Sequence, residues 1–177
     1  MRINSFVLAA STMLIATPAF AVEYPIGEPQ TCGGMEIAAV YLQPIEMDPP
    51  GVMLDAAKAD IHLEADIHAT EDNKNGFEQG SWMPYLSVQY ELKKDGSTES
   101  LKGMLHPMVA NDGPHYGENL KIMGAGKYHL TLTVNHPTRE TNFGRHVDKE
   151  TGVAPWFNTC VTNYDFTFAG TGKKGGY

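Results

Sequence analysis

Along this chain apolar residues recur at every second position over short stretches, and nowhere with the period of an amphipathic helix. The clearest stretch is 60–68, Asp60-Ile61-His62-Leu63-Glu64-Ala65-Asp66-Ile67-His68, which alternates without a break. Residues 84–93 alternate again, with Leu86, Val88, Tyr90 and Leu92 on one face, then turn at Lys94-Asp95-Gly96-Ser97. Residues 99–108 form the returning strand of that hairpin. Residues 127–135 place Tyr128, Leu130, Leu132 and Val134 inward, residues 35–42 make a compact apolar run, and Tyr164, Phe166 and Phe168 mark a last strand. Clusters of Gly, Pro, Asn and Asp separate these runs. Short strands divided by turns predict an all-β sandwich or barrel. Between them, 43–58 is a loop rich in Pro and Met with at most one helical turn, 109–126 a structured loop, and 135–157 a long connection. Long loops in a compact domain are usually functional.

The first 21 residues do not belong to this pattern. Arg2, an apolar run over 5–16 and the Ala19-Phe20-Ala21 site describe a secretory signal peptide. The run is too short to span a bilayer, which takes about 18 apolar residues. One domain is expected over 22–170, soluble in an oxidising compartment, with a flexible tail at 171–177. The net charge of −8 excludes a nucleic-acid partner, which would demand clustered Lys and Arg, and favours cations. Cys32 and Cys160 lack the C-x-x-C spacing of a redox or zinc centre, so in an exported chain they are expected to pair as a disulfide.

No nucleophile elbow, H-E-x-x-H helix or phosphate-binding loop is present, so hydrolase and nucleotide chemistry are excluded. Metal ligands are another matter. With Ile61, Leu63, Ala65 and Ile67 in the core, the opposite face of that strand shows Asp60, His62, Glu64, Asp66 and His68 in a row. Polar alternation is ordinary on a solvated face, but here it consists of acids and histidines alone. Imidazole and carboxylate two residues apart on one pleat can share a transition metal. Met108 and His115 flank the turn-like Gly113-Pro114, and a thioether is a soft ligand that favours copper. In the last loop His146 is a candidate ligand with Asp148 beside it, and His136 competes for that role. His129 should face solvent. Histidine ligands predict that metal affinity falls as pH drops through about 6.5.

Four segments in this order resemble the FetP/FtrA-type periplasmic proteins, copper-binding partners of bacterial iron permeases related to a treponemal metal-binding lipoprotein. They are residues 35–44 (MEIAAVYLQP), the His62-Leu63-Glu64 strand, 107–117 (PMVANDGPHYG) and 144–153 (GRHVDKETGV). The resemblance implies an immunoglobulin-like antiparallel β-sandwich that forms a homodimer. It also implies a copper (Cu2+) site made from His62, Glu64, Met108, His115 and His146, with His136 as the alternative to His146. Iron bound near the copper and handed to an inner-membrane iron permease, without catalysis, is the function it implies. The paired cysteines and the lack of a lipid-attachment Cys at residue 22 depart from the pattern. Two other readings are a copper-dependent redox enzyme acting on iron and a metal-free structural immunoglobulin-like module.

Overall fold

The computed structural model describes residues 22–171; the expected signal peptide at 1–21 and all but the first residue of the expected flexible tail at 171–177 lie outside the described residues. The described residues form nine strands: β1 Tyr24–Pro25, β2 Gln30–Cys32, β3 Met35–Leu42, β4 Ile61–Ala69, β5 Ser87–Lys94, β6 Ser100–Ala110, β7 Gly113–Leu120, β8 Gly126–Asn135 and β9 Cys160–Phe168. Among the described residues the only helical pieces are two 3-10 turns, Ala56–Lys58 and Arg139–Thr141, and no helix is long and apolar enough to cross a membrane.

Neighbouring strands are antiparallel in the order β1-β3-β4-β7-β6-β5-β8-β9, with β2 also paired to β3. The path folds into an immunoglobulin-like β-sandwich because β6 serves both sheets. Its first half pairs with β5 as far as Leu105, and its second half pairs with β7 from His106 onward. A strand that changes sheets in this way makes the corner of a sandwich. The other side is closed by the Cys32–Cys160 disulfide, which ties β2 to β9, and by the Tyr164 hydroxyl donating to the Ile37 carbonyl at 2.8 Å.

The alternation read from the sequence is the alternation of burial. Ile61, Leu63, Ala65 and Ile67 from β4 meet Val88 and Leu92 from β5 and Tyr128, Leu130, Leu132 and Val134 from β8 in one core. His129 faces outward and pairs with Asp165 at 2.8 Å. The turn at Lys94-Asp95-Gly96-Ser97 closes with the Ser97 amide donating to the Lys94 carbonyl, and Gly96 supplies the positive φ of +75° that it needs.

Two expectations change. Residues 109–126 are not all loop, since β7 runs through them as a central strand between β4 and β6. The outer face of β4 is not solvated at its start either: His62 is fully buried and Glu64 nearly so. The loop 43–58 covers that end of the sheet, pinned by the Asn119 side chain, whose amide donates to the Ile45 and Leu54 carbonyls at 2.8 Å each.

Candidate metal centre

The register of three strands builds the site. Glu64 on β4 stands opposite Gly117 on β7, and Gly117 stands opposite His106 on β6. Two residues along β7, His115 stands opposite Met108. Because side chains alternate, His62, Glu64, His115, Gly117 and Met108 share the face turned away from the core. The Glu64 Oε1 atom lies 3.5 Å from His62 Nε2 and 3.2 Å from His115 Nε2. One donor atom from each of these three residues lies within 4.8 Å of the other two. Donors held about 2 Å from one ion stand roughly 3–4 Å apart, so this spacing suits a shared metal.

Met108 joins them through the glycine. A methyl group on Gly117 would meet His62 Nε2 and would stand 2.8 Å from His62 Cε1 and 3.2 Å from the Met108 sulfur. The missing side chain of Gly117 is therefore the space into which imidazole and thioether converge. A glycine inside a strand often marks such a close approach. Any other residue there would fill the cradle.

Burial sets the electrostatics. It lowers the His62 pKa from an ordinary 6.5 to about 4, against the opposing hydrogen bond that the ring donates to Asn119 Oδ1, while His115 nearby lowers it further. It also lowers the pKa of His115, opposed by the charges of Asp66 and Asp112 and a hydrogen bond to the Gly113 backbone. Glu64 moves the other way, pushed up to about 8 by burial and then by the negative charges of Asp66, Glu23 and Asp112. At neutral pH the site thus holds two neutral imidazoles and a protonated carboxyl. His62 Nε2 is buried with no hydrogen-bond partner. Orphaned buried polar atoms are rare in folded proteins and need a reason. A bound cation supplies one, and the nitrogen, oxygen and sulfur donor set fits copper. Bound copper would accept the imidazole lone pairs, the ionised carboxylate and the thioether.

The remaining candidates are placed elsewhere in the chain. His146 is exposed on its own loop, where its Nδ1 bonds the Thr151 hydroxyl at 2.7 Å and Asp148 lies 3.9 Å away. That tight turn, closed by the Val153 amide on the His146 carbonyl, keeps the ring with its loop neighbours rather than with His62. His136 stacks on Trp156 and bonds the Pro137 carbonyl through Nδ1. The structure brings together four of the five expected ligands, without either loop histidine. Sequence reasoning missed Gly117, whose position inside a strand was hidden, and Asn119, a polar residue with no spacing to mark it. It also missed the cleft beside Glu64, lined by Glu23, Asp66, His68 and Asp112.

A family profile described as Fe2+ transport protein matches residues 20–170. A UPF0423 protein of Brucella abortus is 58% identical over 168 residues, covering 94% of this chain and 92% of its own. Among solved structures, the copper-reconstituted P19 protein from Campylobacter jejuni superposes with a TM-score of 0.82 at 53% identity, covering 86% of this chain and 99% of its own. A copper-bound variant of FetP from uropathogenic Escherichia coli gives a TM-score of 0.81 at 52% identity, covering 84% of this chain and 99% of its own.

Proposed function

Since the chain belongs to the Fe2+ transport protein family, we propose that it is an exported, periplasmic copper-binding protein that handles or delivers iron for an inner-membrane iron permease. Copper (Cu2+) would be held by His62, Glu64, Met108 and His115. The observation that carries this reading is the buried group of three donor atoms within 4.8 Å, with an unpartnered nitrogen aimed into it and a thioether beside it. The two similar solved structures are copper-bound, which supports the choice of metal. Export rests on the signal-peptide pattern of residues 1–21. A homodimer, iron held near the copper and the absence of turnover are part of the same proposal, drawn from the family resemblance.

Elemental analysis with a copper titration tests it. The wild type is expected to retain one copper per chain after dialysis, and His115→Ala to bind it at least about tenfold more weakly, the loss of a ligand being no smaller than that of its supporting group. A wild type that retains no copper would end the reading. In a steady-state assay, catalytic amounts of copper-loaded protein should neither oxidise nor reduce iron repeatedly; sustained turnover would make the protein a redox enzyme instead.

A further inference from the structure

The hydrogen bonds around Asn119 determine something about His62 that the ligand geometry alone does not. The Asn119 side chain makes four contacts. Its Nδ2 donates to the backbone carbonyls of Ile45 and Leu54, each at 2.8 Å. Its Oδ1 accepts the Ile45 amide at 3.2 Å and lies 3.0 Å from His62 Nδ1. Carbonyl oxygens can only accept and a backbone amide can only donate. Exchanging the two ends of the Asn119 side chain would set oxygen against two carbonyls and nitrogen against a donor, so only one orientation satisfies these contacts. His62 Nδ1 therefore faces an acceptor and must carry the ring hydrogen. A neutral imidazole has one such hydrogen, so Nε2 is left as a bare lone pair. That atom is the buried one with no hydrogen-bond partner, 3.5 Å from Glu64 and over the Gly117 cradle.

We propose that Asn119 is a positioning residue that locks His62 in the Nδ1–H tautomer, so that Nε2 is presented to the metal, and that it joins the 43–58 loop to the site through the same side chain. The proposal rests on the copper reading of the site, but the tautomer is a property of the metal-free protein. The lock has a competitor. Glu64 Oε1, 3.5 Å from Nε2, is the other acceptor beside the ring, and a ring hydrogen placed on Nε2 to face it would block the ligand atom. Asn119 holds the hydrogen on the opposite side of the ring. The partner that orients a metal-binding histidine is commonly a carboxylate or a backbone carbonyl. Here the loop amides fix a neutral amide in the same role.

The test is nitrogen NMR of the histidine rings in metal-free protein, beside copper titrations of Asn119→Leu and Asn119→Asp. In wild type, His62 should show a protonated Nδ1 and a bare Nε2. Asn119→Leu removes the acceptor, so the hydrogen should move to Nε2 in whole or in part, and copper affinity should fall about 10–100-fold. Asn119→Asp keeps an acceptor and loses the two amide donors to the loop. It should keep the Nδ1–H tautomer and stay closer to wild-type affinity. A wild-type ring protonated on Nε2 overturns the proposal, whether or not Asn119→Leu folds. Equal loss of affinity in both variants with the tautomer unchanged would also overturn it, because Asn119 would then merely hold the loop. A wild type that binds no copper would instead refute the copper reading, with the ring tautomer still measured.

Discussion

Glu64 carries the pH dependence of the proposed site, because it is the one proposed ligand that must change its charge to bind metal at neutral pH. His62 titrates at about 4 and His115 also below its ordinary value, so both rings are already neutral at pH 7. Glu64 stays protonated up to about 8 and must release its proton to coordinate a cation. Copper binding at pH 7 should therefore release about one proton, falling to none well above pH 8, and calorimetry in buffers of different ionisation enthalpy measures it. The affinity should rise about tenfold per pH unit from pH 6 to 8. The drop through 6.5 expected of exposed histidines is displaced by their burial. Metal-free stability carries the same signature. The raised Glu64 contributes stability that is complete below its unfolded value of 4.5 and lost as pH rises through 8. The depressed His62 acts oppositely, lowering stability as pH falls from 6.5 toward 4. Between pH 6.5 and 8 only the Glu64 effect operates between these two groups, so the metal-free wild type should lose stability over that window while Glu64→Gln should not. Equal slopes in the two proteins would show that Glu64 is ionised throughout.

At the scale of the elements, legibility followed how much each strand is interrupted. β4 was plain because all nine residues alternate and none is Gly, Pro or Asn. β7 was hidden by Gly113, Pro114 and Gly117, which resemble loop punctuation. Its geometry explains why each is tolerated. Pairing with β4 begins only at Tyr116, so Pro114 lies where β7 still has a free edge. Pro107 on β6 is similarly placed, beyond the last pair with β5 at Leu105. Gly117 is the price of bringing His62 and Met108 together. The strand candidates were legible because strand period fixes which residues share a face, whereas loop histidines such as His146 and His136 obey no such rule. The Met108–His115 pairing across β6 and β7 also makes the thioether testable. Met108→Leu preserves volume and apolar character, so its packing cost should stay under about 1.5 kcal/mol. The variant should still bind Cu(II) through His62, Glu64 and His115, more weakly and with a changed visible spectrum. Its Cu(I) affinity should fall further than its Zn(II) affinity, since a thioether is the soft donor. An unchanged copper spectrum beside a lower melting temperature would reduce Met108 to a packing residue on that outer face.

Across the whole molecule the two sheets are joined differently on their two sides, and this separates stability from binding. β6 joins them on one side and carries Met108 into the site. The Cys32–Cys160 bond joins β2 to β9 on the other, closing a sequence separation of 128 residues. Cys160 is fully buried and belongs to the hydrophobic core, whereas the donor atoms lie on the outward face of β4, β7 and β6. The cysteines therefore share no donor position with the metal. A long loop closed by a disulfide restricts the unfolded chain, which stabilises the fold by about 2–4 kcal/mol on the chain-entropy account. For a domain of this size each kcal/mol moves the melting temperature by about 2–4 °C. Replacing both cysteines with Ser should lower it by roughly 5–15 °C on those figures. Copper stoichiometry and the visible spectrum should stay as in wild type at temperatures where the variant is folded. The hydrogen bond from Tyr164 to Ile37 and the β6 corner still hold the sheets together without the bond. Loss of copper from a variant whose circular dichroism is native would mean that the distant bridge controls the site, and the separation argued from the two sides of the sandwich would fail.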